Sequence, residues 1–288
     1  MWMKQLCGMA LCGLALSLAA CESEPVECDL APGTGDPGAF LSVTGFTIQH
    51  SLSKKAAEAS GQALDLSNLV VDLIDPGLEG DDGPLTLASA PFDTSGSQGP
   101  FPWSFSGIDV PTTVSALMAS IRDGRTSDPL WVTTWAFQAT NASLTQLRET
   151  SGALGDVHTF ALTYDTLYYV IGPLVGLSGD ELLARGMVLG VVSDQASSCG
   201  EAAPAVSGRV VTSSQSDLTI YYPNSTVSDL SDETANQGIF FAIPNAPGGI
   251  VQASFSVTSD ADDSLQWEVD APAWISPDVV TIQVFTAK

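Results

Sequence analysis

The sequence predicts an all-β protein with two tandem antiparallel β-sandwiches and a short helix in the segment that connects them. The first observation is a series of short runs from Ala39 onward, rich in Val, Ile, Thr and aromatic residues and separated by turn residues. The second is that this pattern changes after residue 150 and returns after Gly186. The third is that 44% of the 288 residues are hydrophobic, which is enough apolar surface for two buried cores.

The charge of the chain excludes one class of partner. The sequence holds 33 acidic and 9 basic residues, for a formal net charge of −24. A protein that binds nucleic acid needs clustered Lys and Arg to neutralise phosphates, and these scattered cations form no such patch. We therefore expect no nucleic-acid partner.

Residues 1–20 have the pattern of a secretion signal. Lys4 is followed by an apolar run over residues 6–20, and the small residues Leu-Ala-Ala stand directly before Cys21. The run is about 15 residues long, whereas a helix that spans a bilayer needs roughly 20. Leu-Ala-Ala-Cys resembles the lipobox of bacterial lipoproteins, which implies that Cys21 carries the lipid as the first residue of the mature chain. An ordinary cleavable signal with an incidental cysteine is the alternative.

The lipobox resemblance also implies a place in the bacterial cell envelope. Acyl chains on Cys21 would hold the mature protein at a membrane, because each buried methylene contributes about 0.8 kcal/mol. We expect the outer membrane, at its periplasmic or its surface face. Residues 21–38 are rich in Pro and Gly with acidic spacers, a composition too poor in apolar residues to fold alone, and they predict a flexible tether.

Two cysteines remain once the signal is removed and Cys21 is acylated. Cys28 and Cys199 would lie in a compartment that permits disulfides, so we predict that they pair. Closing this long loop would stabilise the fold by about 5 kcal/mol in the chain-entropy model. The alternative is two free thiols.

Residues 39–150 are predicted to form the first β-sandwich. The predicted strands are 40–49, 66–74, 85–92, 101–106, 114–121 and 130–139. Alternation in the last run places Trp131, Trp135 and Phe137 on one face of the strand, with Val132 and Ala136 on the other.

Residues 151–185 are predicted to connect the sandwiches and to contain one short helix. Ser178 and Glu181 have the Ser-x-x-Glu spacing of a capping box, in which each side chain accepts from the backbone N–H of the other residue. Gly186 is predicted to end this helix and to lead directly into the next strand.

Residues 186–288 are predicted to form the second sandwich. The predicted strands are 187–192, 206–212, 218–222, 239–243, 250–257 and 279–285. Gly238 is expected to take a positive φ in a tight turn, after which Phe240 and Ala242 point inward.

Four segments of this second region carry a family resemblance. They are Gly-Val-Val-Ser-Asp at 190–194, Pro-Ala-Val-Ser-Gly-Arg-Val-Val at 204–211, Thr-Ala-Asn-Gln-Gly-Ile-Phe at 234–240, and Ile-Pro at 243–244 with Pro-Gly at 247–248. Together they resemble the carboxypeptidase regulatory-like domain, which implies a seven-stranded transthyretin-like sandwich. A fainter copy at 43–46, 69–75 and 93–101 implies an internal duplication, with an unrelated first sandwich as the alternative.

The sequence contains no catalytic motif, and we expect a protein that is not an enzyme. With two histidines and no Cys-x-x-Cys, the chain lacks the nitrogen and sulfur ligands of an ordinary zinc site. Ser178, His158 and Asp180 could form a triad only if the fold brought them together. An isopeptide crosslink from Lys54 or Lys55 is a further alternative.

Acidic loops raise the question of a metal. Asp81 and Asp82, and then Asp260, Asp262 and Asp263, supply oxygen ligands of the kind that calcium prefers. None of these clusters has the spacing of an EF-hand loop. We therefore predict no cofactor, with calcium as the alternative.

Aromatic rings raise the question of a sugar ligand. Trp103, Trp267, Trp274, Tyr221 and Tyr222 are the rings on which a sugar could stack. Alternation assigns Tyr222 to the core and turns Tyr221 to the opposite side of its strand, so Tyr221 is the predicted ligand-binding residue.

Taken together, the residues predict a non-catalytic, lipid-anchored envelope protein that displays β-sandwiches for binding or structural roles. The expected partners are a membrane, through the lipid, and a glycan or another envelope protein. The alternatives are a carbohydrate-binding surface module and an enzyme with an unrecognised active site.

Overall fold

The computed structural model describes residues 40–61, 64–80, 83–91, 100–140, 144–147, 152–193, 205–258, 267 and 271–286. Within these ranges the chain is mostly β, as predicted. The predicted signal, the tether and the three cysteines Cys21, Cys28 and Cys199 lie outside the described residues.

The first set of strands forms two layers. Its members are β1 (Phe40–Gln49), β2 (Leu69–Gly80), β3 (Gly83–Pro91), β4 (Phe101–Asp109), β5 (Ala116–Asp123), β6 (Trp131–Thr140) and β7 (Ala153–Thr163). One layer has the order β4-β1-β7, and the other has the order β3-β2-β5-β6. The layers enclose a core that includes Val43, Val71, Leu117 and Trp131, all at most 1% exposed.

The second set also forms two layers. Its members are β8 (Met187–Ser193), β9 (Val211–Ser213), β10 (Leu218–Pro223), β11 (Leu230–Ser231), β12 (Ile239–Pro244), β13 (Val251–Val257), β14 (Ala271–Ile275) and β15 (Val279–Thr286). The layers have the orders β11-β10-β12-β8-β15 and β14-β13-β9. Phe240, Phe255 and Phe285 meet in the core between them, with ring centroids 5.4 to 6.1 Å apart.

The two sets follow nearly the same pairing plan. In each, the first strand pairs antiparallel with a middle strand (β1 with β4, β8 with β12) and parallel with the last (β1 with β7, β8 with β15). In each, the other layer contains the equivalent ladders β2-β5-β6 and β9-β13-β14. They differ in three respects: β3 pairs with β2 whereas β10 pairs with β12 in the opposite layer, β11 adds a strand beside β10, and β6 also pairs with β7. An internal duplication stays a prediction.

The two sets are joined by a shared sheet. Residues 133–135 of β6 pair in parallel with residues 279–281 of β15, so one sheet runs continuously from β11 to β3. Most ladders are antiparallel, as predicted, and the β1–β7, β8–β15 and β6–β15 ladders are parallel. Because the sets share a sheet, their separation into domains 39–150 and 186–288 stays a prediction.

Helices cover the outer face of the β11-β10-β12-β8-β15 layer. Helix α1 (Ser51–Ser60) follows β1. Helix α2 has three consecutive parts, an α-helical turn (Tyr164–Thr166), a π-helical turn (Leu167–Ile171) and a further α-helical turn (Gly172–Val175). Helix α3 is Gly179–Arg185. They pack on β8, β12 and β15 through a third hydrophobic cluster, which we call the junction core. Its members include Leu52 and Ala56 from α1, Leu167, Val170 and Ile171 from α2, Leu182 from α3, and Leu189, Phe241 and Ile282 from the sheet.

The predicted capping box is present at α3. Ser178 Oγ accepts from Glu181 N at 3.2 Å, and Glu181 Oε2 accepts from Ser178 N at 2.8 Å. Gly186 follows with a φ of 67°. Gly238 also has the expected positive φ, at 60°, where a Cβ would collide with the Val192 carbonyl.

Several sequence predictions need correction. Residues 151–185 are more than a connector with one short helix, because they contain β7 and α2 as well as α3. Within the predicted strand 206–212, only the last two residues belong to a strand, β9. Trp131 and Trp135, which the alternation assigned to one strand face, are both buried but in different clusters, Trp131 in the first core and Trp135 with Ile74, Met118 and Val279. No helix among the described residues is long and apolar enough to cross a bilayer.

Candidate functional site

Most residues predicted from the sequence to form a site cannot be placed. Asp81, Asp82, Asp260, Asp262 and Asp263 lie outside the described residues, as do the cysteines. Among the described residues, no group of three or more His, Cys, Asp or Glu side chains could hold a metal ion.

Tyr221 and Tyr222 point to opposite sides of β10. Tyr222 is buried in the second core, where its hydroxyl accepts from Val211 N at 2.8 Å and donates to Val211 O at 3.0 Å. Tyr221 is half-buried, with its ring against the junction core. The predicted division of the two rings between opposite sides of β10 is thus present, and ligand binding at Tyr221 stays a prediction.

Trp274 is different from the other described tryptophans. Trp103, Trp131, Trp135 and Trp267 are each at most 6% exposed, so their rings are core. Trp274 is partly exposed on β14, where it packs against the cluster around Trp135. It also lines a groove, which makes it the described tryptophan that a ligand could reach.

We call this the Trp274 groove, an open depression of about 610 Å³ between the two sets of strands. One side is the end of the β2–β3 hairpin, with Pro76, Leu78 and Glu79 among its lining residues. The other side is Ile250, just before β13, and Trp274. The groove therefore exists only because the two sets are held together.

A bulge in β2 forms the hairpin side of the groove. Asp75 pairs with Leu85 and Glu79 pairs with Pro84, so residues 76–78 have no partner residue in β3. Bulges of this kind redirect a strand and recur next to binding sites. Asp75-Pro76-Gly77 is also a turn sequence, and the predicted strand ended at residue 74 directly before it.

The buried carboxylate of Asp75 fixes this bulge. Asp75 is fully buried, and it accepts from Gly77 N at 2.8 Å and from Ser115 N at 2.7 Å. A Cβ at Gly77 would stand 3.3 Å from both the Asp75 carboxylate and the Trp274 ring, tighter than an ordinary contact. The bulge is thus tied to β5 on one side and fitted against Trp274 on the other.

The polar groups at the groove are mainly acceptors. Glu79 presents an exposed carboxylate, and none of the described lining residues is Lys or Arg. The Trp274 Nε1 donor is buried without a hydrogen-bond partner. Ile250 adds an apolar side chain that is 42% exposed. Such a lining suits a ligand with an apolar face and several hydrogen-bond donors.

A second polar cluster lies inside the junction. His50 is the N-cap of α1, and its Nδ1 accepts from Leu52 N at 3.2 Å. Burial lowers the pKa of His50 to about 4, so the imidazole is neutral at physiological pH. Ser53 accepts from Thr163 N at 3.1 Å, which ties α1 to the end of β7. These buried groups hold elements together and face no groove.

The three residues considered for a catalytic triad have separate roles. Ser178 Oγ donates to Glu181 Oε2 at 2.9 Å as part of the helix cap. Asp180 accepts a hydrogen bond from Tyr168, which raises the pKa of that phenol to about 12. His158 lies on β7, opposite Phe46 of β1. Ser178 and Asp180 thus take part in contacts of α3 and α2, whereas His158 belongs to a strand of the first set.

Comparison with known proteins gives structural likeness at low identity. No family model matches the chain. No curated protein matches its sequence. The shaft pilin SpaA of Lactobacillus rhamnosus GG is 10% identical, with 87% of this chain and 99% of that chain covered and a TM-score of 0.23.

Two further pilins show the same degree of likeness. The minor pilin GBS52 of Streptococcus agalactiae is 8% identical over 87% of this chain and 97% of its own, with a TM-score of 0.24. The major pilin T3.2 of Streptococcus pyogenes is 11% identical over 88% of this chain and 98% of its own, with a TM-score of 0.21. At these scores the likeness carries no argument about function.

Proposed function

We propose that this chain is a non-catalytic protein of the bacterial cell envelope, anchored by a lipid on Cys21, that displays a rigid β body for a structural or binding role. The observation that carries the proposal is the continuity of the body. Two sets of strands share one sheet and a buried junction core, so they would move as one unit on the tether.

Specific contacts tie the loops of the second set to the helices. Val227 has a φ of 53°, a conformation that costs a β-branched residue on the order of 1 kcal/mol or more, and it is buried in the junction core. Next to it, Lys55 of α1 donates to the Thr226 carbonyl. The Asp278 N–H donates to the Leu183 carbonyl at 2.7 Å, which ties the β14–β15 turn to α3. Strain at Val227 persists because the surrounding junction holds the loop in place.

Lys55 also bears on the isopeptide alternative. Its ammonium donates to the backbone carbonyl of Thr226. An isopeptide bond forms when a Lys amine attacks a side-chain carboxyl or carboxamide carbon and water or ammonia leaves, whereas attack on a backbone carbonyl would cleave the main chain. The contact is therefore a non-covalent tie between α1 and the 224–229 loop.

The lipid anchor is tested by replacing Cys21 with serine in the full chain. We expect the parent protein to incorporate labelled fatty acid and to sediment with membranes, and the Cys21→Ser protein to do neither. Cys28→Ser is the matched control, since it removes a nearby thiol that the lipobox resemblance does not assign to acylation. Firm membrane association of Cys21→Ser, without label, would refute the anchor.

The location and partners follow from the same proposal. We propose the outer membrane, at its periplasmic or surface face, with another envelope protein or a glycan as the partner. Fractionation of inner and outer membranes locates the protein, and accessibility to added protease in intact cells decides the face. A carbohydrate-binding surface module is the second candidate function, and the partly exposed Trp274 is the observation that favours it.

A further inference from the structure

We propose that the Trp274 groove is a binding site for a neutral glycan. The inference rests on the proposed display function and adds the place and chemistry of binding. The volume of the groove supports a small ligand, because about 610 Å³ lies within the range of small-ligand pockets, roughly 300–1,000 Å³. A stable protein interface buries about 800 Å² and roughly 20–30 residues on each partner, whereas nine described residues line the groove, so a small ligand fits it better than a protein.

The apolar part of the groove matches one face of a sugar ring. A pyranose presents axial C–H groups on one face and hydroxyls around its edge. Trp274 and the exposed part of Ile250 supply an aromatic and an aliphatic surface side by side. Trp274 is also held from behind, since it packs on the cluster of Ile74, Met118 and Trp135. A fixed ring loses little conformational entropy when a ligand stacks on it.

The polar part of the groove matches the hydroxyls. Glu79 is an exposed carboxylate that accepts hydrogen bonds, and charge-assisted bonds of this kind are about twice as strong as neutral ones. The unpaired stretch 76–78 adds backbone groups that the β2–β3 ladder does not use. A ligand that supplies many donors fits this lining, and hydroxyl groups supply them.

The charge of the groove decides against acidic ligands. Glu79 lines it, no described lining residue is Lys or Arg, and the whole chain carries a net charge of −24. Phosphates, sulfates and uronic acids would be repelled in this field. Charge therefore excludes the acidic glycans, and we choose neutral ones because their hydroxyls supply the donors that the lining accepts.

The geometry of the bulge is fixed before any ligand binds. Asp75 is fully buried and bonded to the backbone of Gly77 and Ser115, so residues 76–78 have a set geometry in the free protein. Preorganised sites bind more tightly, since less order has to be created on binding.

The experiment screens the full Cys21→Ser chain against an array of neutral, acidic and cationic oligosaccharides, followed by calorimetry on the hits. We expect neutral oligosaccharides to bind, and Trp274→Ala and Glu79→Gln each to weaken binding about tenfold, equivalent to about 1.4 kcal/mol. Ile250→Arg changes an exposed residue and places a long side chain in the groove, so it tests the site even if Trp274→Ala fails to fold. Tyr169→Ala is the control, because Tyr169 is an aromatic residue 63% exposed on α2, outside the groove.

Three results would overturn the glycan site. They are the absence of any neutral hit, preferential binding of amino sugars or other cations, and binding that survives Ile250→Arg with unchanged affinity. The glycan assay uses the chain without Cys21, whereas lipid incorporation and membrane sedimentation are measured on the parent chain that keeps Cys21, so the two experiments report separately on the glycan site and on the proposed envelope function.

Discussion

Adjacent phenylalanines on β12 give a direct test of whether the junction is a true core. Phe240 and Phe241 are both fully buried, but Phe240 lies in the second core and Phe241 in the junction core. Each replacement by alanine removes the same atoms from the same strand. The comparison therefore measures the junction against an ordinary sandwich core.

The expected cost is large for both. Replacing a buried Phe by Ala destabilises a protein by about 3–5 kcal/mol, from lost transfer energy and the cavity left behind. If helices and sheet form one packed unit, Phe241→Ala will cost as much as Phe240→Ala. For a body of this size, 1 kcal/mol shifts Tm by about 2–4 °C, so each variant should melt about 10 °C lower.

Differential scanning calorimetry measures both quantities. We expect a single transition in the parent and in both variants, because the shared sheet and the junction core couple the two sets of strands. A Phe241→Ala protein that loses less than about 1 kcal/mol, or that melts in two separate steps, would refute the idea of one continuous body. Tyr169→Ala, at an exposed site, is the control that should leave Tm unchanged.

Three further predictions concern buried polar groups and tight packing. His50 is neutral in the fold, because burial lowers its pKa to about 4 from a value near 6.5 in the unfolded chain. Its contribution to the free energy of unfolding is therefore complete above pH 6.5, and about 3 kcal/mol is lost as the pH falls towards 4. Urea midpoints at pH 7 and 4.5 measure this, and His50→Asn, which keeps a capping oxygen, should show a smaller drop. Asp75→Asn replaces one of the two acceptors that serve Gly77 and Ser115, so it should cost about 1–3 kcal/mol in the same assay. Gly190→Ala should cost about 1–3 kcal/mol or prevent folding, because the new Cβ would overlap the Phe240 ring.

Each of these three predictions has an outcome that would contradict it. A His50→Asn protein with the same pH dependence as the parent would mean that other groups cause the acid sensitivity. Glu79→Gln is the control for Asp75→Asn, since it changes a carboxylate on the same bulge that is exposed. Equal stability of the two variants would show that Asp75 does not hold the bulge. A Gly190→Ala protein with parental stability would show that the Phe240 ring can move aside.

Local sequence signals predicted the elements whose pattern is complete within a few consecutive residues. The range of β1 agrees with the predicted strand 40–49, and the capping box located α3, because alternation and caps are properties of a few consecutive residues. The predicted run 279–285 likewise became β15, which extends one residue further. Among the site residues predicted from the sequence, Tyr221 lies in the described part of the chain and is half-buried.

The layer of helices was not predicted, although the sequence held a signal for it. Ile239-Phe240-Phe241-Ala242-Ile243 is apolar at every position, and all five residues are buried. An unbroken apolar strand indicates burial on both faces, which requires a covering layer on each. What sequence could not provide is the identity of that cover, since α1 lies about 180 residues earlier in the chain and its N-cap is the uncommon His50. The Trp274 groove has the same origin, because its two sides come from distant strands that meet only in the fold.

The parallel seam between β6 and β15 has a consequence for biogenesis. β15 lies in the middle of the sheet, between β8 and β6, yet it is the described strand nearest the C-terminus. Neither β8 nor β6 gains that neighbour until residues 279–286 have been synthesised, so the sheet closes late and through contacts of long sequence separation, which slows folding. The first set of strands and the β8–β12 ladder must therefore remain unjoined during most of synthesis, and the continuous sheet forms only once the last described strand is available.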